Sequence, residues 1–173
     1  VAADPESRGI VLGGSGNDIL YGEAGDDQLL GGINDDLMIG GSGADVFNGN
    51  TGFDTASYAE SATGVFVDML SPGAGSGEAA GDSFIAVEQV IGSAFADTLA
   101  GDATANTLYG ANGNDFLYGR DGGDALEGGI GADRLDGGTG FDYATYARST
   151  QGVVADLQFA ASSSGDASGM VFK

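Results

Sequence analysis

A glycine every nine residues, an aspartate five places behind it and an apolar residue two places further on predict an all-β chain. The expected architecture is a parallel β-roll, a right-handed β-solenoid in two tandem blocks with short connecting strands. The units run in register from Gly13: GGSGNDILY (13–21), GEAGDDQLL (22–30), GGINDDLMI (31–39), GGSGADVFN (40–48) and GNTGFDTAS (49–57). A second run begins at Gly92: GSAFADTLA (92–100), GDATANTLY (101–109), GANGNDFLY (110–118), GRDGGDALE (119–127), GGIGADRLD (128–136) and GGTGFDYAT (137–145). Position 1 is Gly in all eleven units; position 6 is Asp in ten and Asn106 in the other.

Each unit divides by chemistry. Positions 1 to 6 are glycine, small or polar, which suits a turn with positive φ values. Asn34 replaces Gly at position 4 of the third unit, and Asn enters the left-handed region most readily after Gly. Positions 7 to 9 form a three-residue strand whose middle side chain points opposite to its neighbours. Position 8 reads Leu20, Leu29, Met38, Phe47 and Ala56, then Leu99, Leu108, Leu117, Leu126, Leu135 and Ala144, so it faces in. Positions 7 and 9 mix polar and apolar residues and face out. A turn plus a strand reverses the chain, so eighteen residues make one coil with two parallel sheets, successive units falling on alternate edges.

A longer period lies over the short one. A shift of 88 residues superposes Gly52-Phe53-Asp54 on Gly140-Phe141-Asp142, Tyr58-Ala59 on Tyr146-Ala147, Gly64-Val65 on Gly152-Val153 and Asp68 on Asp156. The chain therefore divides into a first unit, 1–91, with repeats 13–57 and a connecting segment 58–91, and a second, 92–173, with repeats 92–145 and a C-terminal segment 146–173. The turn at 92–100 has its counterpart at 4–12, where Gly9 stands in place of Asp97 and the ligand is lost. Alternating stretches at 65–70 and 84–91 are expected to be strands that extend or cap the rolls and link the blocks. Residues 71–81 are expected to be a loop. Phe53, Phe141, Tyr58 and Tyr146 are expected to close the ends of the solenoid.

Composition narrows the function. The 173 residues carry 26 acidic and 5 basic side chains, a formal charge of −21, which disfavours nucleic acid and anionic membranes and favours cations. His, Cys and Trp are absent, which excludes Ser-His-Asp and Cys-His catalysis, HExxH zinc sites and thiolate metal sites. Paired aspartates suit a glycosidase too, but here every pair has a place in the repeat and no cleft is implied. No apolar run approaches the length of a membrane span, and the chain reads as part of a larger parent. The chain is not expected to be an enzyme, although its parent can be one.

Calcium follows from the stack. Residues eighteen apart share an edge, one coil up, at the ~4.8 Å spacing of strands. This pairs Asp18/Asp36, Asp27/Asp45 and Asp36/Asp54 in the first block. In the second it pairs Asp97/Asp115, Asn106/Asp124, Asp115/Asp133 and Asp124/Asp142. One inward side chain per nine residues is a thin core, and rows of carboxylates oppose folding unless neutralised. Two carboxylates with the carbonyls of tight glycine turns make an all-oxygen cage, which suits calcium better than magnesium or zinc.

The units resemble the G-G-x-G-x-D-x-U-x nonapeptides of the RTX family of secreted bacterial proteins, which includes serralysins, mannuronan epimerase modules, haemolysin-like toxins and adhesins. That resemblance implies ions between two turns of one edge. The lower turn gives the carbonyls of positions 2 and 4 with its Asp, and the upper gives those of positions 1 and 3 with its Asp. The first site would then use Gly14, Gly16, Asp18, Gly31, Ile33 and Asp36; the second Glu23, Gly25, Asp27, Gly40, Ser42 and Asp45; the third Gly32, Asn34, Asp36, Gly49, Thr51 and Asp54. In the second block the sets are Asp97, Gly110, Asn112 and Asp115; Asn106, Gly119, Asp121 and Asp124; Ala111, Gly113, Asp115, Gly128, Ile130 and Asp133; and Arg120, Gly122, Asp124, Gly137, Thr139 and Asp142. Phe95 and Thr104 replace the position-4 glycine and Asn106 lacks a charge, so the Asp97/Asp115 and Asn106/Asp124 sites are expected to be weak or empty.

The resemblance further implies a secreted or cell-surface protein of a bacterium, exported unfolded by type I secretion and folded by extracellular calcium. An affinity of about 10⁻⁴–10⁻³ M is expected for such modules. Residues 168–173 carry no clear secretion signal. The alternative is a calcium-dependent adhesin or polysaccharide-binding module attached to an enzyme, with an acidic glycan or a cell surface as partner.

Overall fold

A computed structural model describes residues 8–148 and 171–172. The first block lays down β1 (Ile10–Ser15), β2 (Ile19–Tyr21), β3 (Gln28–Ile33), β4 (Leu37–Ile39), β5 (Val46–Thr51) and β6 (Thr55–Ser57). The connecting segment contributes β7 (Phe66–Asp68), β8 (Ser83–Ile85) and β9 (Gln89–Ile91). The second block adds β10 (Thr98–Ala100), β11 (Thr107–Tyr109), β12 (Phe116–Tyr118), β13 (Asp121–Gly122), β14 (Ala125–Glu127), β15 (Arg134–Asp136), β16 (Thr139–Gly140) and β17 (Tyr143–Ala144), with β18 at Val171–Phe172. Every expected three-residue strand is present, although β17 stops one residue short. All sheet pairings are parallel, and within each block they join residues eighteen apart, as in Leu20↔Met38 and Leu108↔Leu126.

The strands stack as a β-solenoid. One face is an uninterrupted seven-stranded sheet, β2-β4-β6-β9-β11-β14-β17, that runs through both blocks. The opposite face is split into β1-β3-β5-β8 and β7-β10-β12-β15-β18. The split arises because β7, although earlier in the chain, lies under β10, whereas β8 lies on β5 and β9 on β6. The chain thus places β7 ahead of itself and loops back. It passes through one turn of 3-10 helix at Gly77–Ala79, then lays down β8 and β9 as one more coil over the first block. The ligandless turn near the start is kept as well: Gly9 donates its N–H to Asp27 Oδ1, and β1 pairs with β3.

The core is a single file of position-8 side chains. Leu29, Met38, Phe47, Ala56, Leu99, Leu108 and Leu117 are all fully buried. Val67 and Val90 continue the file across the seam, with Phe84 packed against it. Phe84 stacks on Phe47 with ring centroids 5.3 Å apart, and Tyr58 tilts against Phe47 at 6.1 Å.

Of the aromatics expected to close the solenoid, Tyr58 is buried and Tyr146 packs partly buried on the core. Phe53 and Phe141 do not: they are 45% and 75% exposed. Position 5 precedes the inward-turned aspartate and so points outward, while the backbone N–H of Phe53 is held by Asp35. The outward register agrees with the sequence: Tyr21 lies beside Ile39, Tyr109 beside Glu127 and Tyr118 beside Asp136, so these tyrosines have no aromatic neighbour above them. Tyr109 is itself covered by Arg148, whose guanidinium lies 4.3 Å from the ring centroid. No helix among the described residues is long and apolar enough to cross a membrane.

Candidate metal centre

Two left-handed residues shape nine of the eleven turns. In the first unit Gly14 and Gly16 have φ of 103° and 111°, and the same conformation recurs at Glu23 and Gly25, Gly32 and Asn34, Ala111 and Gly113, and Arg120 and Gly122. Asn34, at φ 80°, takes the glycine position as expected. The carbonyls so turned rise along the stack. A Cβ on Gly32 would collide with the Gly14 carbonyl oxygen, and one on Gly131 with that of Gly113.

The aspartates form ladders along both edges. Asp18 N–H donates to Asp36 Oδ1 at 2.9 Å, Asp27 to Asp45 at 2.8 Å and Asp36 to Asp54 at 2.9 Å. In the second block Asp97 donates to Asp115 at 2.8 Å, Asn106 to Asp124 at 2.8 Å, Asp115 to Asp133 at 2.9 Å and Asp124 to Asp142 at 2.9 Å. All seven pairs expected from the spacing are therefore brought together. Oδ1 faces the coil below. Oδ2 of Asp18, Asp27, Asp36, Asp45, Asp54, Asp115 and Asp124 is buried with no hydrogen-bond partner.

Backbone oxygens converge on these atoms. The place a Cβ would take on Gly13 is 2.5 Å from the Gly31 carbonyl oxygen and 2.8 Å from Asp18 Oδ2; over Gly22 the same two partners are Gly40 O at 2.5 Å and Asp27 Oδ2 at 3.0 Å. Gly128 O and Gly137 O take that place over Gly110 and Gly119, beside Asp115 Oδ2 and Asp124 Oδ2. Position 1 is glycine because any side chain there would fill the space shared by a carboxylate and the next coil's carbonyl. On the other side of the second block's pairs, the lower position-4 carbonyl meets the upper Oδ1, as Gly113 O and Asp133 Oδ1 do at Gly131. Carbonyls of Ile33, Ser42, Thr51 and Ile130 accept one N–H each from the coil below, and those of Glu23, Ala111 and Arg120 one each from the coil above. A carbonyl oxygen has a second lone pair left after such a bond.

Rows of buried, unpartnered carboxylate oxygens facing backbone carbonyls are an oxygen-only cation cage. The RTX calcium-binding nonapeptide repeat matches the chain in four copies, at residues 9–38, 29–56, 91–126 and 112–144. The chain belongs to this RTX family. No curated protein matches it. No three acidic side chains among the described residues converge as a metal cluster.

Two RTX turns depart from the pattern. At 92–100, Ser93 replaces the left-handed position-2 residue, its hydroxyl accepts the Phe95 N–H at 3.0 Å, and it donates to Asp97 Oδ1 at 2.8 Å. The Ser93 N–H takes Asp97 Oδ2 at 2.7 Å, so this carboxylate is satisfied within its own turn. At 101–109 the Asp102 carboxylate accepts the Thr104 N–H at 2.7 Å, while Asn106 Oδ1 accepts the Asp102 N–H at 2.8 Å. Asn106 Oδ1 thus stands beside the Gly119 carbonyl, where other units present Oδ2, and is satisfied within its own turn, while the buried Nδ2 has no partner. Asn112 and Asp121 lie over these reshaped turns. Arg120 reaches from above to the Gly101 carbonyl at 2.7 Å and to Asp68 at 2.8 Å, bringing a resident positive charge to this region.

Three functional residues fall outside the ninefold spacing. Asp82 accepts the Asp45 N–H at 2.8 Å and Glu88 accepts that of Asp54 at 2.8 Å, so both stand where the next position-6 aspartate would. Tyr58 donates its hydroxyl to Asp82 Oδ2 at 2.6 Å. The signal was present in Asp82-Ser83-Phe84-Ile85 and Glu88-Gln89-Val90-Ile91, which keep the acid-x-apolar-x order of positions 6 to 9.

Without cations, burial dominates the electrostatics. It pushes Asp45 up to about 6 and Asp82 and Asp115 up to about 7, and raises Asp54, Asp97 and Asp124 above the ordinary carboxylate value. Asp68 is held low by its hydrogen bond to Arg120.

Proposed function

We propose that this calcium-binding repeat module folds when it meets extracellular calcium and serves as a structural part of a larger secreted bacterial protein. The observation that carries this reading is the row of buried Oδ2 atoms without partners along both edges of the solenoid. Such atoms are costly to bury unless an ion occupies the space they face. Binding and folding are then one free energy, so the chain stays open where calcium is scarce and closes where it is abundant.

The residues fit the ion. The sets Gly14, Gly16, Asp18, Gly31, Ile33, Asp36 and Glu23, Gly25, Asp27, Gly40, Ser42, Asp45 would each hold one ion through two carboxylates and four carbonyls. So would the sets that pair Asp36 with Asp54, Asp115 with Asp133 and Asp124 with Asp142. Six or more oxygens without nitrogen or sulfur is the donor set calcium prefers. Asp97, satisfied by Ser93, and Asn106, uncharged and with its oxygen taken by the Asp102 N–H, would leave their sites weak or empty. The ion's contribution is charge neutralisation and cross-linking of successive coils. In this reading the two units, 1–91 and 92–173, are copies of one design joined by a shared sheet, and the module's work is structural rather than catalytic.

Far-ultraviolet circular dichroism of the chain in chelator and in millimolar calcium tests the proposal. A β signal that appears on adding calcium is expected; a spectrum unchanged by calcium would refute it.

A further inference from the structure

We propose one more divalent-cation site, at the seam between the first block's last turn and the three-residue turn 86–88, held by Asp54, the Ala86 carbonyl and Glu88. It rests on the calcium-folding reading above and adds a site that no pair of nonapeptide turns forms. Residues 57–90 lie outside all four matches to the repeat family.

An interior aspartate works in two directions, Oδ1 toward the coil below and Oδ2 toward the coil above. Asp54 spends Oδ1 on the Asp36 N–H. The regular units end at Ser57, so none of the ninefold pairs gives Asp54 a partner above. Yet Asp54 is fully buried and its Oδ2 has no hydrogen-bond partner. That oxygen is aimed into a built space. The Ala86 carbonyl oxygen and Asp54 Oδ2 both crowd the place a Cβ would take on Gly49, repeating the arrangement of Gly31 O and Asp18 Oδ2 over Gly13. Glu88 Oε2 accepts the Asp54 N–H at 2.8 Å, as Asp36 does for Asp18. The lower turn has its two left-handed residues, Asn50 at φ 68° and Gly52 at φ 154°, and so keeps the regular RTX shape. The upper turn spends only three residues before β9, and the extra methylene of Glu88 makes up the reach that an aspartate gains from a longer turn.

The opposite edge of the same coil is closed. Asp82 accepts the Asp45 N–H, but its second oxygen takes the Tyr58 hydroxyl at 2.6 Å. Over Gly40, Asp45 Oδ2 is joined by the Phe47 ring and not by a carbonyl of the coil above. The hydroxyl occupies Asp82, and Asp45 Oδ2 has no facing carbonyl to complete a cage, so the seam binds on one edge only. Two carboxylates with backbone carbonyls again select a hard cation of calcium's tolerance.

Native mass spectrometry of the full chain and of Glu88→Gln in calcium tests the site. The amide keeps an oxygen for the Asp54 N–H, removes the charge and touches no nonapeptide site. The variant should carry one ion fewer than the parent; an equal count overturns the seam site. Anomalous diffraction from the unaltered chain crystallised with calcium decides the matter even if the variant fails to fold. A peak about 2.3–2.6 Å from Asp54 Oδ2 and Ala86 O is expected. Peaks within the blocks but none at the seam would overturn this site alone, whereas no peak anywhere would overturn the calcium reading beneath it.

Discussion

Replacing Asp36 with Asn should have opposite effects with and without calcium. Asp36 is 2% exposed, its Oδ1 holds the Asp18 N–H, and its own N–H is held by Asp54. Asparagine keeps the acceptor but removes the charge between two other carboxylates. At ~5 Å and an effective dielectric of ~20, each like-charged neighbour costs up to roughly 3 kcal/mol, so the calcium-free fold gains when that charge goes. With calcium the sign reverses, because Asp36 belongs to two expected sites. An ion contributes about 1.4 kcal/mol at a tenfold excess over its Kd and about 2.7 kcal/mol at a hundredfold excess, so losing two costs roughly 3–5 kcal/mol. Asp18→Asn, which touches one expected ion, should cost about half as much. Urea unfolding followed by circular dichroism in calcium reads the loss. Refolding in chelator with a stabilising osmolyte reads the gain, as a lower osmolyte requirement. A variant that weakens the fold equally in both media would refute the idea that the stacked charges oppose folding until an ion arrives.

Acid should act with the same two signs. Burial raises Asp45 to about 6 and Asp115 to about 7 in the folded, cation-free chain, against an ordinary value of 3.8. The folded form therefore holds protons more tightly than the unfolded, and the stability of the calcium-free fold is greatest below about pH 4 and drains as pH rises to 6–7. Calcium competes with those protons, so its affinity should fall as pH is lowered through 7 to 6, which titration calorimetry would follow. Tyr58→Phe strips the hydroxyl from Asp82 and leaves a buried carboxylate oxygen unpaired, costing about 1–3 kcal/mol in calcium while the ion count in native mass spectrometry stays unchanged. A lost ion in that variant would show that Tyr58 helps hold metal rather than replacing it.

The repeat made most of this arrangement readable in advance. Glycine at position 1, aspartate at position 6 and an apolar residue at position 8 each answer a separate physical demand: room beside a carboxylate, a ladder with rungs eighteen residues apart, and a file of inward side chains. Agreement of the three fixed both the strands and the Asp18/Asp36 type of pair. The seam was harder, because Asp82 and Glu88 follow Asp45 and Asp54 by 37 and 34 residues instead of eighteen. A spacing rule cannot see a partner displaced by an inserted loop, although the local order around Phe84 and Val90 survives. The satisfaction of Asp97 by Ser93 was also hidden, since it depends on the hydroxyl folding back into its own turn. Phe53 and Phe141 misled for the opposite reason. They are large and apolar and recur at 88 residues, yet alternation along the backbone puts them outside.

The closed and open edges of the seam make the solenoid directional in a way that the uniform coils are not. Within the first block, inserting or deleting eighteen residues would leave every later strand on its own face. A change of nine would swap the faces. The edge ending in Asp45 would then meet the partner shaped for Asp54, and β7 would arrive on the side already occupied by the unbroken sheet. Growth or shrinkage of the first block by whole coils is therefore compatible with this junction, and change by half coils is not.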